Sequence, residues 1–162
     1  MKTILLAFSL SFFFMSCNKE KETCTLITTG TQTFMDKNLV VVTYRNGDVI
    51  PQVTDQTAWA SLTTGAWCHY NNDPANDTIY GKLYNWYAVN DPRGLAPQGW
   101  HIPTSAEWQC FSISLGGEFV AGGKMKTTGT SRWNSPNTGS TNESRFAGLP
   151  GGFRRGKNNI GV

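Results

Sequence analysis

One stretch constrains this chain more than any other: residues 80–108, YGKLYNWYAVNDPRGLAPQGWHIPTSAEW. It holds three of the six tryptophans, three of the five tyrosines and three of the seven prolines. Aromatic side chains at that density, broken by turn residues, call for a loop-rich domain whose core is built from rings rather than aliphatic runs. Tyr80, Leu83, Tyr84, Tyr87 and Ala88 recur at i, i+3, i+4, i+7 and i+8. That spacing predicts a helix with one buried face, stopped by Asn90 and Pro92. A second helix start is sharper. Thr104-Ser105-Ala106-Glu107 is a capping box, with Pro103 and Trp108 at the flanking staple positions. Trp108, Phe111 and Leu115 are expected to continue its buried face, and Gly116-Gly117 offers a left-handed close.

The rest of the chain reads as short strands and loops. Thr31–Met35 and Leu39–Arg45 are expected strands, the latter rich in β-branched residues. Asn46-Gly47 is a hairpin turn signal, with Val49-Ile50 returning until Pro51. Thr54–Leu62 suggests a short helix around Trp59, and Ala66–Tyr70 a third strand. Gly117–Met125 is a near miss for a phosphate-binding loop, since Met125 follows Lys124 where a Ser or Thr must hold Mg²⁺. It reads instead as a flexible loop, followed by the loop-rich Thr127–Ser144 and a short apolar return, Phe146–Leu149.

The amino terminus carries an address. After Met1-Lys2, the run Ile4–Met15 is almost wholly apolar. It is too short to span a bilayer, which takes about 20 residues, but it suits the apolar part of a secretory signal. Ser16-Cys17 followed by the polar Asn18–Glu22 resembles a bacterial lipoprotein signal, although Phe14 and Met15 depart from its usual leucine-small-small pattern. The expected organisation is a signal peptide over residues 1–16, a charged tether over 17–25 and one domain over 26–162. Cys17 is the expected lipid attachment site, and the expected location is the cell envelope, at the outer membrane or cell surface.

Removing Lys2 with the signal leaves thirteen basic against eleven acidic residues. The basic residues are scattered, without the stripe expected of a nucleic-acid partner. Assigning Cys17 to lipid leaves Cys24, Cys68 and Cys110, so an oxidising compartment leaves at least one thiol unpaired. There is no C-x-x-C, and Cys110 is expected to be a small buried residue within the second helix. Neither a G-x-S-x-G elbow nor an H-E-x-x-H pair is present. His69 and His101 sit among aromatics and are read as structural, and Glu107 is read as a cap; no catalytic residue is assigned. Asn72, Asp73 and Asp77 lie in a loop rich in the hard oxygen ligands that calcium prefers, a composition that tight turns also use. No other cofactor is expected. Asp77-Thr78-Ile79 resembles a bacterial O-glycosylation acceptor.

Several of these elements coincide in one known family. Thr31–Met35 with Lys37-Asn38-Leu39, the Tyr80–Val89 block, Gly99–Thr104 with Glu107-Trp108, and Phe146–Gly152 together resemble the Fibrobacter succinogenes major paralogous domain. Pro103–Trp108 is also similar to the helix start of formylglycine-generating-enzyme-like domains. The resemblance implies an α+β, C-type-lectin-like fold, with two helices packed on short twisted antiparallel strands and long loops. It also implies that a W-W-S-S stretch and a terminal cysteine-bearing strand should follow Gly-Gly-Phe-Arg. Here Phe153-Arg154-Arg155 leads to residues 156–162 instead, so the expectation is an incomplete member in which Cys68 has no partner. The functional expectation is a lipid-anchored, non-catalytic binding or adhesion module for a glycan or surface protein, with loop tryptophans such as Trp133 stacking on the ligand. The alternatives are an enzyme related to the formylglycine-generating group, or a structural paralogue without a ligand.

Overall fold

A computed structural model describes residues 26–29 and 32–156 of the chain, and side chains from Gln32 onward. In chain order the elements are β1 (Leu26–Thr29), β2 (Gln32–Met35), α1 (Gln56–Ser61), β3 (Trp67–His69), α2 (Asp77–Tyr80), β4 (Lys82–Tyr84), α3 (Trp86–Val89), α4 (Ser105–Ser114) and α5 (Glu118–Met125). Two 3-10 turns, Tyr70–Asn72 and Pro74–Asn76, lie between β3 and α2. The fold mixes α and β, and its strands form two antiparallel pairs, β1–β2 and β3–β4. Among the described residues no helix is long and apolar enough to cross a membrane.

The β3–β4 pair forms the centre of the first half. Successive side chains on a strand point to opposite faces, and the register Trp67↔Tyr84, Cys68↔Leu83 sorts them cleanly. On one face Trp67 is buried with Tyr44, Ile50, Ala88 and Leu95, and Tyr84 packs against that group. On the other, Cys68 and Ala66 are buried with Trp59, backed by Val53, Leu62 and Leu83. Of the polar groups carried inward, those of Trp67, Tyr84 and Asn85 have partners, as burial favours, whereas the buried Tyr44 hydroxyl has none among the described residues. The Trp67 indole donates to the Ile50 carbonyl at 2.9 Å, and the Tyr84 hydroxyl to that of Val41 at 2.8 Å. Asn85 is buried and caps α3: its Oδ1 accepts from the Ala66 and Ala88 amides, and its Nδ2 donates to the Thr64 carbonyl.

The helix expected over Tyr80–Ala88 does not form. Tyr80 ends α2, Leu83 and Tyr84 lie on opposite faces of β4, and Tyr87 is exposed; of the five positions only Ala88 is fully buried. Gly81 is the cause. Its φ of +68° and ψ of −158° are open to glycine and strained for other residues. A β-carbon there would lie 2.7 Å from Asn38 Cβ and 2.8 Å from the Leu39 carbonyl oxygen. The next amide, Lys82, donates to that same carbonyl at 3.0 Å. A remote backbone thus captures the chain where local spacing would have continued a helix. The six aromatics of residues 80–108 are accordingly half-buried or exposed, and among the described residues the buried rings are Tyr44, Trp59, Trp67 and Phe111.

Leu39–Arg45 also departs from expectation. The Asn46-Gly47 turn is present, with Gly47 at φ +93° and the Tyr44 amide donating to Asp48 at 2.8 Å. The approach to it carries only an isolated bridge, Thr43↔Val49, and Val40 and Val42 are exposed. Its carbonyls are taken singly, Leu39 by the Lys82 amide and Val41 by Tyr84, so no ladder builds.

The second half is helical. The capping box of α4 is closed on both sides: Thr104 Oγ1 accepts from the Glu107 amide, and Glu107 Oε2 accepts from the Thr104 amide at 2.8 Å. Gly116 and Gly117, at φ +100° and +94°, turn the chain, and the Gly117 amide returns to the Ser112 carbonyl at 2.9 Å. Beyond this turn the chain forms α5 rather than the expected loop. It tolerates Gly123 because the Gly139 carbonyl occupies the space a β-carbon would take. Phe111, Leu115 and Ala121 form the core, with Phe34, Met125 and Phe146 against them. Trp108 is 39% exposed because it sits at the rim, touching the rings of Phe34 and Phe146. Cys110, one step round the helix from Phe111, is exposed rather than buried.

Candidate functional site

A cleft of about 410 Å³ opens between the loop after β3 and the last described segment. Asn71 and Asn72 shape its first wall at φ +54° and +56°, a left-handed geometry that Asn adopts more readily than most residues. Asp73 then caps the Pro74–Asn76 turn by accepting from the Ala75 amide at 2.9 Å. His69 and Tyr70 belong to the same wall, Phe153, Arg154 and Arg155 to the other, and Thr54, Gln56 and Leu83 also line the cleft.

Arg154 locks the two walls together. Its guanidinium donates to Gln56 Oε1 at 3.1 Å, Asn72 Oδ1 at 3.0 Å and the carbonyls of Val53 and Thr54, and lies 4.9 Å from the Trp59 ring centroid. Gln56 answers by donating to the Arg155 carbonyl at 3.0 Å. Gly152 packs so closely that a β-carbon would come 2.5 Å from Tyr70 Cε2. With Arg154 turned inward, Phe153 is left 57% exposed at the cleft, and the Arg155 guanidinium lies 5.7 Å from the Phe153 ring centroid.

His69 is fixed from behind. Its Nδ1 lies 2.6 Å from Asp77 Oδ1, and Asp77 Oδ2 pairs with Lys82 Nζ, which itself lies 4.2 Å from the Trp67 ring centroid. Burial raises the Asp77 pKa, but the hydrogen bonds from His69 and Lys82 outweigh it and hold the carboxyl below the usual carboxylate range. An ionised carboxylate only accepts, so Nδ1 of His69 carries the proton of this bond. The result is an oriented imidazole in a polar cleft with aromatic edges.

Each calcium candidate already has a protein partner. Asn72 is engaged by Arg154 and Thr54, Asp73 by its own turn, and Asp77 by His69 and Lys82. Among the described residues no group of three or more His, Cys, Asp or Glu side chains is placed to hold a metal ion. Trp133 lies outside the cleft lining. Its indole donates to Thr127 Oγ1 and to the Gly148 carbonyl, and Lys126 sits 5.3 Å from its ring centroid. His101 is exposed and pairs with Glu107 at 2.7 Å, which, after the Thr104 backbone bond, helps lower the Glu107 pKa to about 2. Thr78 is exposed, its hydroxyl donating to the Ala75 carbonyl. Cys68 is a buried free thiol and Cys110 an exposed one; Cys17 and Cys24 lie outside the described residues. Sequence reasoning missed Tyr70, Phe153 and Arg154. The signal available for the last two was an apolar-cationic step directly after Gly151-Gly152.

Searches of the curated proteins and of the solved structures each found no match. The profile of the Fibrobacter succinogenes major domain matches residues 27–161, a span that contains both halves of the fold and the whole cleft. The chain belongs to the Fibrobacter succinogenes major domain family.

Proposed function

We propose that this protein is a lipid-anchored, non-catalytic binding module of the cell envelope whose cleft takes a glycan. The observation that carries the reading is the make-up of the cleft: the rings of Tyr70 and Phe153 lie among the amides and hydroxyl of Asn71, Gln56 and Thr54, beside an oriented His69. A sugar presents an apolar ring face and a rim of hydroxyls. Aromatic faces suit the first, and fixed donors and acceptors suit the second. Arg154 supports the reading by holding the two walls together without itself being free to bind. Cys17 supplies the attachment to the membrane, at the outer membrane or cell surface. The scaffold is read as C-type-lectin-like, its antiparallel strand pairs and helices displaying ligand on long loops.

A redox-enzyme reading requires two thiols within bonding reach; among the described residues Cys68 is buried behind Leu83 and Trp59, whereas Cys110 is exposed on α4. The glycan reading is tested by screening the purified protein on a glycan array and titrating the best binder into labelled protein by NMR. The expected result is a shift of the Asn71 side-chain amide and the His69 ring signals. A bound glycan that moves only signals outside residues 54–72 and 153–155 would sink the assignment.

A further inference from the structure

The α4–α5 hairpin has apolar residues on two sides. Phe111, Leu115 and Ala121 are buried, while Ile113 is 64%, Val120 48% and Phe119 97% exposed. Val120 lies over the turn, so that a β-carbon on Gly116 would come within 3.1 Å of its Cγ2. The tip therefore carries a small apolar group that nothing within the described fold covers.

The path of the chain indicates what could cover it. Gln32 Nε2 donates to the Glu107 carbonyl, in the first turn of α4, at 3.0 Å. Two residues later Phe34 lies 4.6 Å from Phe111, one turn further along the helix. So β2 runs beside α4 in the same direction. β1 is antiparallel to β2 and places Leu26 opposite Met35. The chain consequently enters the fold at the end of α4 that bears Ile113 and leads into Phe119. Only nine residue steps separate Cys17 from Leu26. At no more than about 3.5 Å per step, the lipid-bearing residue stays within roughly 30 Å of that end.

We propose that the hairpin tip, Ile113, Phe119 and Val120, docks into the surface of the bilayer that receives the Cys17 lipid, and so fixes the orientation of the domain on the membrane. This rests on the lipid-anchor reading above. Exposed phenyl and branched aliphatic side chains suit the boundary between headgroups and acyl chains. Glu118, adjacent to Phe119, disfavours an anionic surface, so the partner is a zwitterionic lipid layer.

The test uses the acylated full mature chain on phosphatidylethanolamine–phosphatidylcholine vesicles. With Cys24→Ser and Cys110→Ser in place, a nitroxide is attached through Val120→Cys. Vesicle flotation is scored together with collision of the label with oxygen and with a water-soluble nickel complex. The expected result is co-flotation, with the oxygen-to-nickel collision ratio several-fold above that of the unacylated Cys17→Ala protein in solution, and reversal on adding Phe119→Ser. Co-flotation with an unchanged ratio overturns the docking and leaves the anchor standing. Failure to float overturns both. Spin–spin broadening in the Cys17→Ala protein without vesicles would assign the tip to a second copy of the chain and also overturn it.

Discussion

Two hairpins of this molecule, β3–β4 and α4–α5, are packed by different means. The β3–β4 strand hairpin is covered on both faces, by Tyr44 and Ile50 on one side and Trp59 on the other. The α4–α5 helical hairpin is covered on one face by Phe34 and Phe146 and leaves Phe119 almost fully exposed on the other. An element held from two sides takes its conformation from remote partners. One held from a single side must rely on its own caps and turns. The contrast explains where each half is vulnerable and which half could be read in advance.

The largest expected effect lies at the two-sided hairpin. Trp67→Ala removes a core ring and leaves the Ile50 carbonyl without its donor; urea denaturation should show a loss of about 3–5 kcal/mol. A loss below about 1 kcal/mol would mean the strand pair is not the centre of its half. Next comes Gly81→Ala, which forces a β-carbon into Asn38 and Leu39 at a strained φ and ψ. About 2–3 kcal/mol is expected, and a neutral result would show that remote capture does not set the α2–β4 boundary.

Effects in the helical half should be smaller and local. Thr104→Ala opens the capping box and should lower stability by about 1 kcal/mol. The same cap has a pH signature. The folded-state pKa of Glu107 is lowered to about 2, from an ordinary 4.5. The bonds to its carboxylate therefore contribute fully above about pH 4.5, and that contribution is lost as pH falls toward 2. Glu107→Gln keeps an acceptor but removes the titration, so its acid unfolding curve should be flatter over that window; identical slopes would contradict the cap assignment. Phe119→Ser should change stability in solution by less than about 0.5 kcal/mol, since the ring is 97% exposed among the described residues.

The same contrast governs how much was legible in the sequence. Thr104, Glu107, Gly116 and Gly117 act on their near neighbours, and the limits of α4 followed from them. The short helix expected around Trp59 likewise forms, as α1, with Asp55 as its cap. Tyr80–Ala88 misled because its helical spacing was real but was overridden by Leu39, some forty residues earlier in the chain. The α5 segment misled because Gly122-Gly123 looked like a loop, whereas Gly123 makes room for the Gly139 carbonyl. The cleft was hidden for a related reason. Its walls, Tyr70 and Phe153, are joined by Arg154 across about eighty residues of chain, a pairing that local pattern cannot express.

The glycan cleft is tested most directly by measuring the affinity of an array-selected glycan for wild type, Phe153→Ala and Trp133→Ala, with circular dichroism confirming that each variant is folded. The expected result is a loss of about tenfold, equivalent to about 1.4 kcal/mol, for Phe153→Ala, and wild-type affinity for Trp133→Ala, whose indole is already engaged by Thr127 and Gly148. Unchanged affinity in Phe153→Ala, or a loss confined to Trp133→Ala, would contradict the account and move the binding site out of the cleft.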